Sequence, residues 1–222
     1  MKIKYSPKNI LTDIDTFSVA FTRSKKQSHA ALLYTDPLNK VRLLHLAGYD
    51  NLEEEDPSND FIWLTLPIGE LEKSLLGLFC HTLYKQNGDG IPYDFDYTGT
   101  GFDSEGKFFQ TKPGTGLTCG TFVMSVLEDK DINVINPTGW PKRVEDQKWQ
   151  FSVLMGYLKK WLSNKTIEKK KIEITGGINR YRPEEVVVAT HMDNQPHTFL
   201  DIKNNSLRLI KFFNLYLKLR KV

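Results

Sequence analysis

The stretch PGTGLTCGTFVMSVLED, residues 113–129, sets a single cysteine between a glycine-bearing loop and an apolar run. Pro113, Gly114 and Gly116 punctuate against regular structure. After Cys119 the apolar residues Phe122, Val123, Val126 and Leu127 recur at the spacing of a helix with one buried face. The spacing predicts a helix whose first turn holds Cys119. Unpaired N–H groups and the positive end of the helix dipole gather there, and both stabilise a thiolate. Such a cysteine is either a small buried thiol in a core helix or an activated nucleophile. The rest of the chain has to decide between the two.

A thiol nucleophile needs a base within hydrogen-bond reach, and usually a third group to orient that base. The histidines are His29, His45, His81, His191 and His197. SHAALLYTD (28–36) and VRLLHLAGY (41–49) read as two strands, and the Asp, Pro and Asn of their connector suit a hairpin turn. Antiparallel pairing puts the start of one strand beside the end of the next, so His29 and His45 are expected side by side. His81 follows Cys80 on a helix expected over 71–87, with Leu71, Leu75, Leu78, Phe79 and Leu83 as its apolar face. There a satisfied structural histidine is the simpler reading.

Working outward, the chain opens with a short irregular lead, and DFIWLTLPI (60–68) reads as a third strand. DNLEEEDPSND (50–60) reads as an acidic loop that serves solubility. Residues 91–118 form a long, aromatic-rich connection, and long loops inside compact domains often carry function. NPTGWPKRV (136–144) is a second break. Beyond it, 145–164 reads as helix, and 165–175 and 184–192 read as strands. Arg208, Lys211, Asn214, Lys218 and Lys221 mark one polar stripe on a C-terminal helix whose wide apolar arc suits packing on its own domain better than lying on a membrane.

The 222 residues suffice for one domain of ordinary size with an appended part, and the 40% hydrophobic and 26% charged content is that of a globular chain. A net charge of +3 is too small to imply nucleic acid. The N-terminus lacks the apolar core of a secretory signal, and no apolar run is long enough to span a membrane, so a cytoplasmic location with both cysteines reduced is expected.

With these residues in view, HAALLY (29–34), HLA (45–47) and TCGTFV (118–123) together resemble the circularly permuted papain-like thiol hydrolases. These are permuted relatives of the NlpC-type amidases and include the lecithin retinol acyltransferase family. The order His, His, Cys is the permuted one, and the resemblance spans roughly residues 25–130. It implies an α+β fold. A permuted papain-like core would cover 15–135, and a C-terminal α/β extension over 136–222 would pack on it. It also implies His29 as base, His45 as its orienting partner, Cys119 as nucleophile and Tyr93 as an oxyanion donor. No cofactor and no metal are needed. The substrate would carry an amide, ester or thioester, cleaved through a thioester acyl-enzyme.

Three departures separate the chain from the acyltransferase branch: a longer turn between the histidine strands, GTFV after the cysteine in place of an acidic and a basic residue, and no hydrophobic anchor. They favour a hydrolase. Other readings keep Cys119 but use papain order, with His191 or His197 as base and Asn194 behind it; or place a metal among His29, His45, Cys80, His81 and Cys119, against the usual ligand spacings; or retain the fold as a binding module without catalysis. For an active Cys119 the thiol pKa is expected below the ordinary value.

Overall fold

A computed structural model describes residues 1–5, 14–24, 27–99, 101–109 and 115–220; Pro113, Gly114 and Lys221 lie outside them. The architecture is mixed α+β. Strands β1 (Lys4–Tyr5), β2 (Phe17–Ser24), β3 (Gln27–Thr35), β4 (Val41–Gly48), β5 (Asn51–Glu55) and β6 (Ile62–Thr65) form one open sheet in the order β1-β6-β2-β3-β4-β5, antiparallel throughout. Helices α1 (Glu70–Gln86), α2 (Cys119–Glu128), α3 (Val144–Gly156), α4 (Asn164–Gly176), α5 (Pro183–His191) and α6 (Phe199–Leu219) complete the described elements, with a 3-10 turn at Leu158–Lys160. No helix among the described residues is long and apolar enough to cross a membrane.

Strand parity divides the sheet into two faces. Phe17, Val19, Phe21, Ala30, Leu32, Leu44, Leu46, Ile62 and Leu64 turn to the main core, where they meet α1, α2, α5 and α6. Ala20, Ala31, Leu33, Leu43 and Trp63 line the other face under Phe61. Phe17 to Phe21 are buried on both faces. This segment was expected to be an irregular lead and is instead a central strand. Phe17, Val19 and Phe21 alternate with Ser18 and Ala20, which are buried on the other face, so the alternation is of size rather than of exposure.

Three further expectations change. The acidic stretch is not a loop: Asn51–Glu55 pairs with β4, Gly48 opposite Asn51 and His45 opposite Glu53. Asp50 at φ 49° makes the tight reversal. Residues 165–175 and 184–192 are helical, so no named strand follows Thr65, and the segment beyond 136 is helical rather than α/β. Ser163 caps α4 by accepting the Thr166 N–H, and Pro183 opens α5 with Glu185 bonded back to the Arg182 N–H. These caps, with burial of Val186 to Ala189 in the main core, override the strand propensity of the valines. Finally, α1 buries Leu76, Gly77, Phe79, Cys80 and Leu83, while Leu71, Leu75 and Leu78 are exposed. Gly77 sets that rotation, because a Cβ there would come within 3.2 Å of the Thr35 carbonyl oxygen.

The C-terminal helix packs on its own chain. Ile202, Ser206, Leu209, Phe213 and Tyr216 form its buried stripe, and Arg208, Lys211, Asn214 and Lys218 face outward. Arg220 and the Tyr216 hydroxyl anchor its end on the Asn59 carbonyl, each at 2.6 Å.

Candidate active site

Thr118 starts α2. Its hydroxyl accepts the Thr121 N–H at 3.2 Å, and the Thr121 hydroxyl accepts the Thr118 N–H at 2.8 Å. This reciprocal cap leaves the N–H groups of Cys119 and Gly120 unpaired within the helix, and both favour negative charge on the Cys119 sulfur. A third N–H comes from Ala30 on β3. Its availability follows from a fork in the sheet. β3 and β4 pair only from Leu32–Leu44 to Thr35–Val41. Beyond that point β3 continues against β2 as far as Gln27, and β4 continues against β5. The diverging strands leave the Ala30 N–H without a β4 partner.

His29 precedes Ala30, and His45 lies on the opposite branch of the fork. His29 Nε2 and His45 Nδ1 are 2.8 Å apart, and the rings meet edge to face. By parity both imidazoles stand on the face of Ala31 and Leu33, opposite the one that α2 covers. One cavity of about 630 Å³ at this end of the sheet reaches both imidazoles and Cys119. No imidazole hydrogen-bonds the sulfur among the described residues.

Behind His45 stand two carboxylates from β5. His45 Nε2 lies 3.4 Å from Glu55 and 3.8 Å from Glu53. The contacts are long for hydrogen bonds, so the two carboxylates act on the Nε2 side of the neutral ring through their field. Carboxylates on that side favour a proton on Nε2. His45 Nδ1 then accepts, His29 Nε2 donates, and His29 Nδ1 is left with a lone pair. This assignment follows from the network of partners. It makes His29 Nδ1 the ring nitrogen open to take a proton.

Burial dominates the titration of the site. It lowers His29 to about 4, against the smaller upward pull of Glu55 and Glu53. Burial, then the neighbouring His29, lowers His45. Burial likewise raises the Cys119 thiol, against the Ala30 N–H, the Arg180 charge and the donors at the helix start. The expected fall in the thiol pKa is therefore reversed. A helix start lends partial charge, but desolvation of a buried sulfur outweighs it. At neutral pH the site rests as thiol and neutral imidazole.

Tyr93 lines the same cavity. The Leu117 N–H donates to the Pro92 carbonyl at 2.8 Å, and the Asp94 N–H donates to Leu117. These bonds hold Tyr93 alongside the start of α2. Gly116 is required there, since a Cβ would lie 2.0 Å from the Pro92 oxygen. Burial and the nearby Cys119 raise the Tyr93 pKa, so its hydroxyl stays a donor. That hydroxyl has no protein partner among the described residues.

The opposite wall comes from the second half of the chain: Trp149, Ser152, Val153 and Gly156 of α3, then Tyr157, with Arg180 and Tyr181 before α5. The Tyr157 hydroxyl accepts the Tyr49 N–H at 3.0 Å and ties α3 to the end of β4. A buried ion pair, Lys170 with Asp94, ties α4 to the Tyr93 segment. Sequence reasoning missed Glu53, Glu55, Arg180 and this wall. Only the period-two spacing of Glu53 and Glu55, just after a strand, hinted at one face. His191 and His197 lie outside the cavity: His191 Nδ1 meets the Thr65 carbonyl at 2.7 Å, and His197 Nε2 meets that of Met192 at 3.3 Å. His81 is also outside it, and its Nδ1 is buried without a partner, so it is not the satisfied histidine expected. Among the described residues no three His, Cys, Asp or Glu side chains are grouped to hold a metal ion.

Compared with protein-family models, with curated proteins and with solved structures, the chain matches none.

Proposed function

We propose that the chain is a cysteine-dependent hydrolase of amide or ester bonds, built on a circularly permuted papain-like arrangement. The observation that carries this reading is the convergence on one cavity of a helix-start thiol and an ordered pair of imidazoles. The permuted chain order, with His29 and His45 on adjacent strands before Cys119, supports the arrangement.

The Cys119 sulfur bonds the substrate carbonyl carbon while His29 Nδ1 takes the thiol proton, so charge forms only as the reaction proceeds. The carbonyl oxygen becomes an oxyanion, held by N–H groups at the start of α2 and by the Tyr93 hydroxyl. Removing one such donor costs about 3–4 kcal/mol in characterised enzymes. His29 returns its proton to the leaving amine or alkoxide as the carbon–heteroatom bond breaks. Water, giving a proton to His29, then attacks the thioester carbon; the carbon–sulfur bond breaks, the acid is released, and His29 returns the proton to the Cys119 sulfur. His45 orients His29 and spreads its charge toward Glu53 and Glu55. The step requires the sulfur and His29 Nδ1 to come within hydrogen-bond reach in the substrate complex.

The test is turnover of a panel of small amides, esters and thioesters. The wild type should cleave at least one of them, and Cys119→Ser and His29→Ala should cleave none. A second reading, a binding module on the same fold, is favoured by the raised thiol pKa and the missing sulfur–imidazole bond. Ligand binding without turnover, unaffected by Cys119→Ser, would select it.

A further inference from the structure

Arg180 is the sole lysine or arginine among the described residues lining the cavity. It is fixed rather than mobile. Its guanidinium lies over the Trp149 ring at 3.6 Å from the centroid, and Nη1 donates to Asp146 at 3.0 Å. Asp146 is itself almost fully buried and also accepts from Arg143 and Arg182. The Arg180 carbonyl is held in turn by the Trp140 indole N–H and by Arg143. Stacking and clamping thus lock the fork, while its remaining N–H groups have no protein partner among the described residues. Side-chain exposure of only 16% makes this a costly place for a cation. Its charge is felt at both the Cys119 thiol and the Tyr93 hydroxyl.

Resting on the reading of Cys119 as nucleophile, we propose that Arg180 binds a carboxylate of the substrate, which makes the enzyme's substrates acidic amides or esters. A preorganised, partly desolvated guanidinium matches a planar carboxylate through two parallel N–H donors. A single cation with one nitrogen already engaged suits a monoanion better than a phosphate dianion, which needs more donors. The aromatic residues Trp149, Tyr157 and Tyr181 of the cavity wall would take the apolar body of the molecule.

The test compares two alkylating agents of equal shape at Cys119, anionic iodoacetate and neutral iodoacetamide, at alkaline pH where the thiolate forms. Wild type should show an iodoacetate-to-iodoacetamide rate ratio about tenfold above that of free N-acetylcysteine, from one partly desolvated charge pair. Arg180→Gln should bring the ratio down to the free-thiol value, and Arg180→Lys should retain part of it. If Arg180→Gln slows both reagents equally, Arg180 acts only on the thiolate, and the carboxylate site is overturned. If Cys119 of the wild type reacts with neither, the catalytic reading fails. The carboxylate site is then judged by calorimetry on Cys119→Ser with succinamate and its neutral analogue succinamide. Preference for succinamate that vanishes on adding Arg180→Gln supports the site; equal binding, or none, overturns it.

Discussion

Replacing His29 by asparagine should flatten the acid side of the stability profile. His29 titrates near 4 in the folded protein, because burial disfavours the imidazolium, against an ordinary value of 6.5. Above pH 6.5 the ring is neutral whether the chain is folded or not, and it contributes nothing to the pH dependence. Between 6.5 and 4 the unfolded chain binds the proton and the folded one does not, so the wild type loses stability as pH falls. Below 4 both states are protonated and the loss is complete. An interval of about 2.5 pH units at 1.36 kcal/mol per unit is about 3.4 kcal/mol. The ring opens partly onto the cavity, so screening reduces this to about 2 kcal/mol. The assay is urea unfolding at pH 7 and pH 4. The wild type should lose about 2 kcal/mol more than His29→Asn over that interval. A preformed imidazolium–thiolate pair would raise the folded pKa and reverse the sign, so that the wild type gains on the variant as pH falls from 8 to 6. That reversal, or parallel profiles, would refute a neutral resting site.

Lys170→Met should cost about 3 kcal/mol by leaving the Asp94 charge buried, and Lys170→Met with Asp94→Leu should recover most of it; thermal unfolding of the three proteins checks both. Thr118→Ala should cost about 1 kcal/mol in urea unfolding through loss of the α2 cap, and should slow Cys119 alkylation at fixed pH by loosening the helix start. Glu53→Ala with Glu55→Ala removes the charges that keep a proton on His45 Nε2. Nitrogen chemical shifts should show His29 moving toward its other tautomer, with a fall of about tenfold in Cys119 alkylation at pH 7. Cys80, fully buried on α1, serves as the unreactive control.

What was legible in the sequence was local. The helix at Cys119 and the strands that bring His29 beside His45 each follow from a few neighbouring residues, whereas Tyr93 comes only from the family resemblance. The illegible parts depended on partners distant in the chain. β2 is buried on both faces because helices and Phe61 cover it, and its short Phe17–Val19–Phe21 alternation follows a polar, irregular N-terminal stretch that gives no strand signal. Val186 to Val188 carry strand propensity, but their caps and burial make them helical. Glu53 and Glu55 look like solubilising charges until β5 pairs with β4 and turns them toward His45. Arg180 owes its position to Asp146 and Trp149, thirty or so residues earlier, and no motif announces that contact. The thiol pKa failed for a different reason: the helix start is visible in sequence, whereas the depth of burial that outweighs it is a property of the assembled fold.

The central claim, a Cys119 nucleophile served by His29, is tested most directly by catching the acyl-enzyme. The protein is mixed with p-nitrophenyl acetate, quenched during the burst of p-nitrophenolate, and digested for mass spectrometry. The account predicts a burst, with the acetyl group on Cys119 and not on Cys80. In His29→Ala the burst should slow by about 10²–10⁴-fold, the usual contribution of a positioned general base. An acetyl group spread over lysines with none on Cys119, or a burst unchanged in His29→Ala, would contradict it.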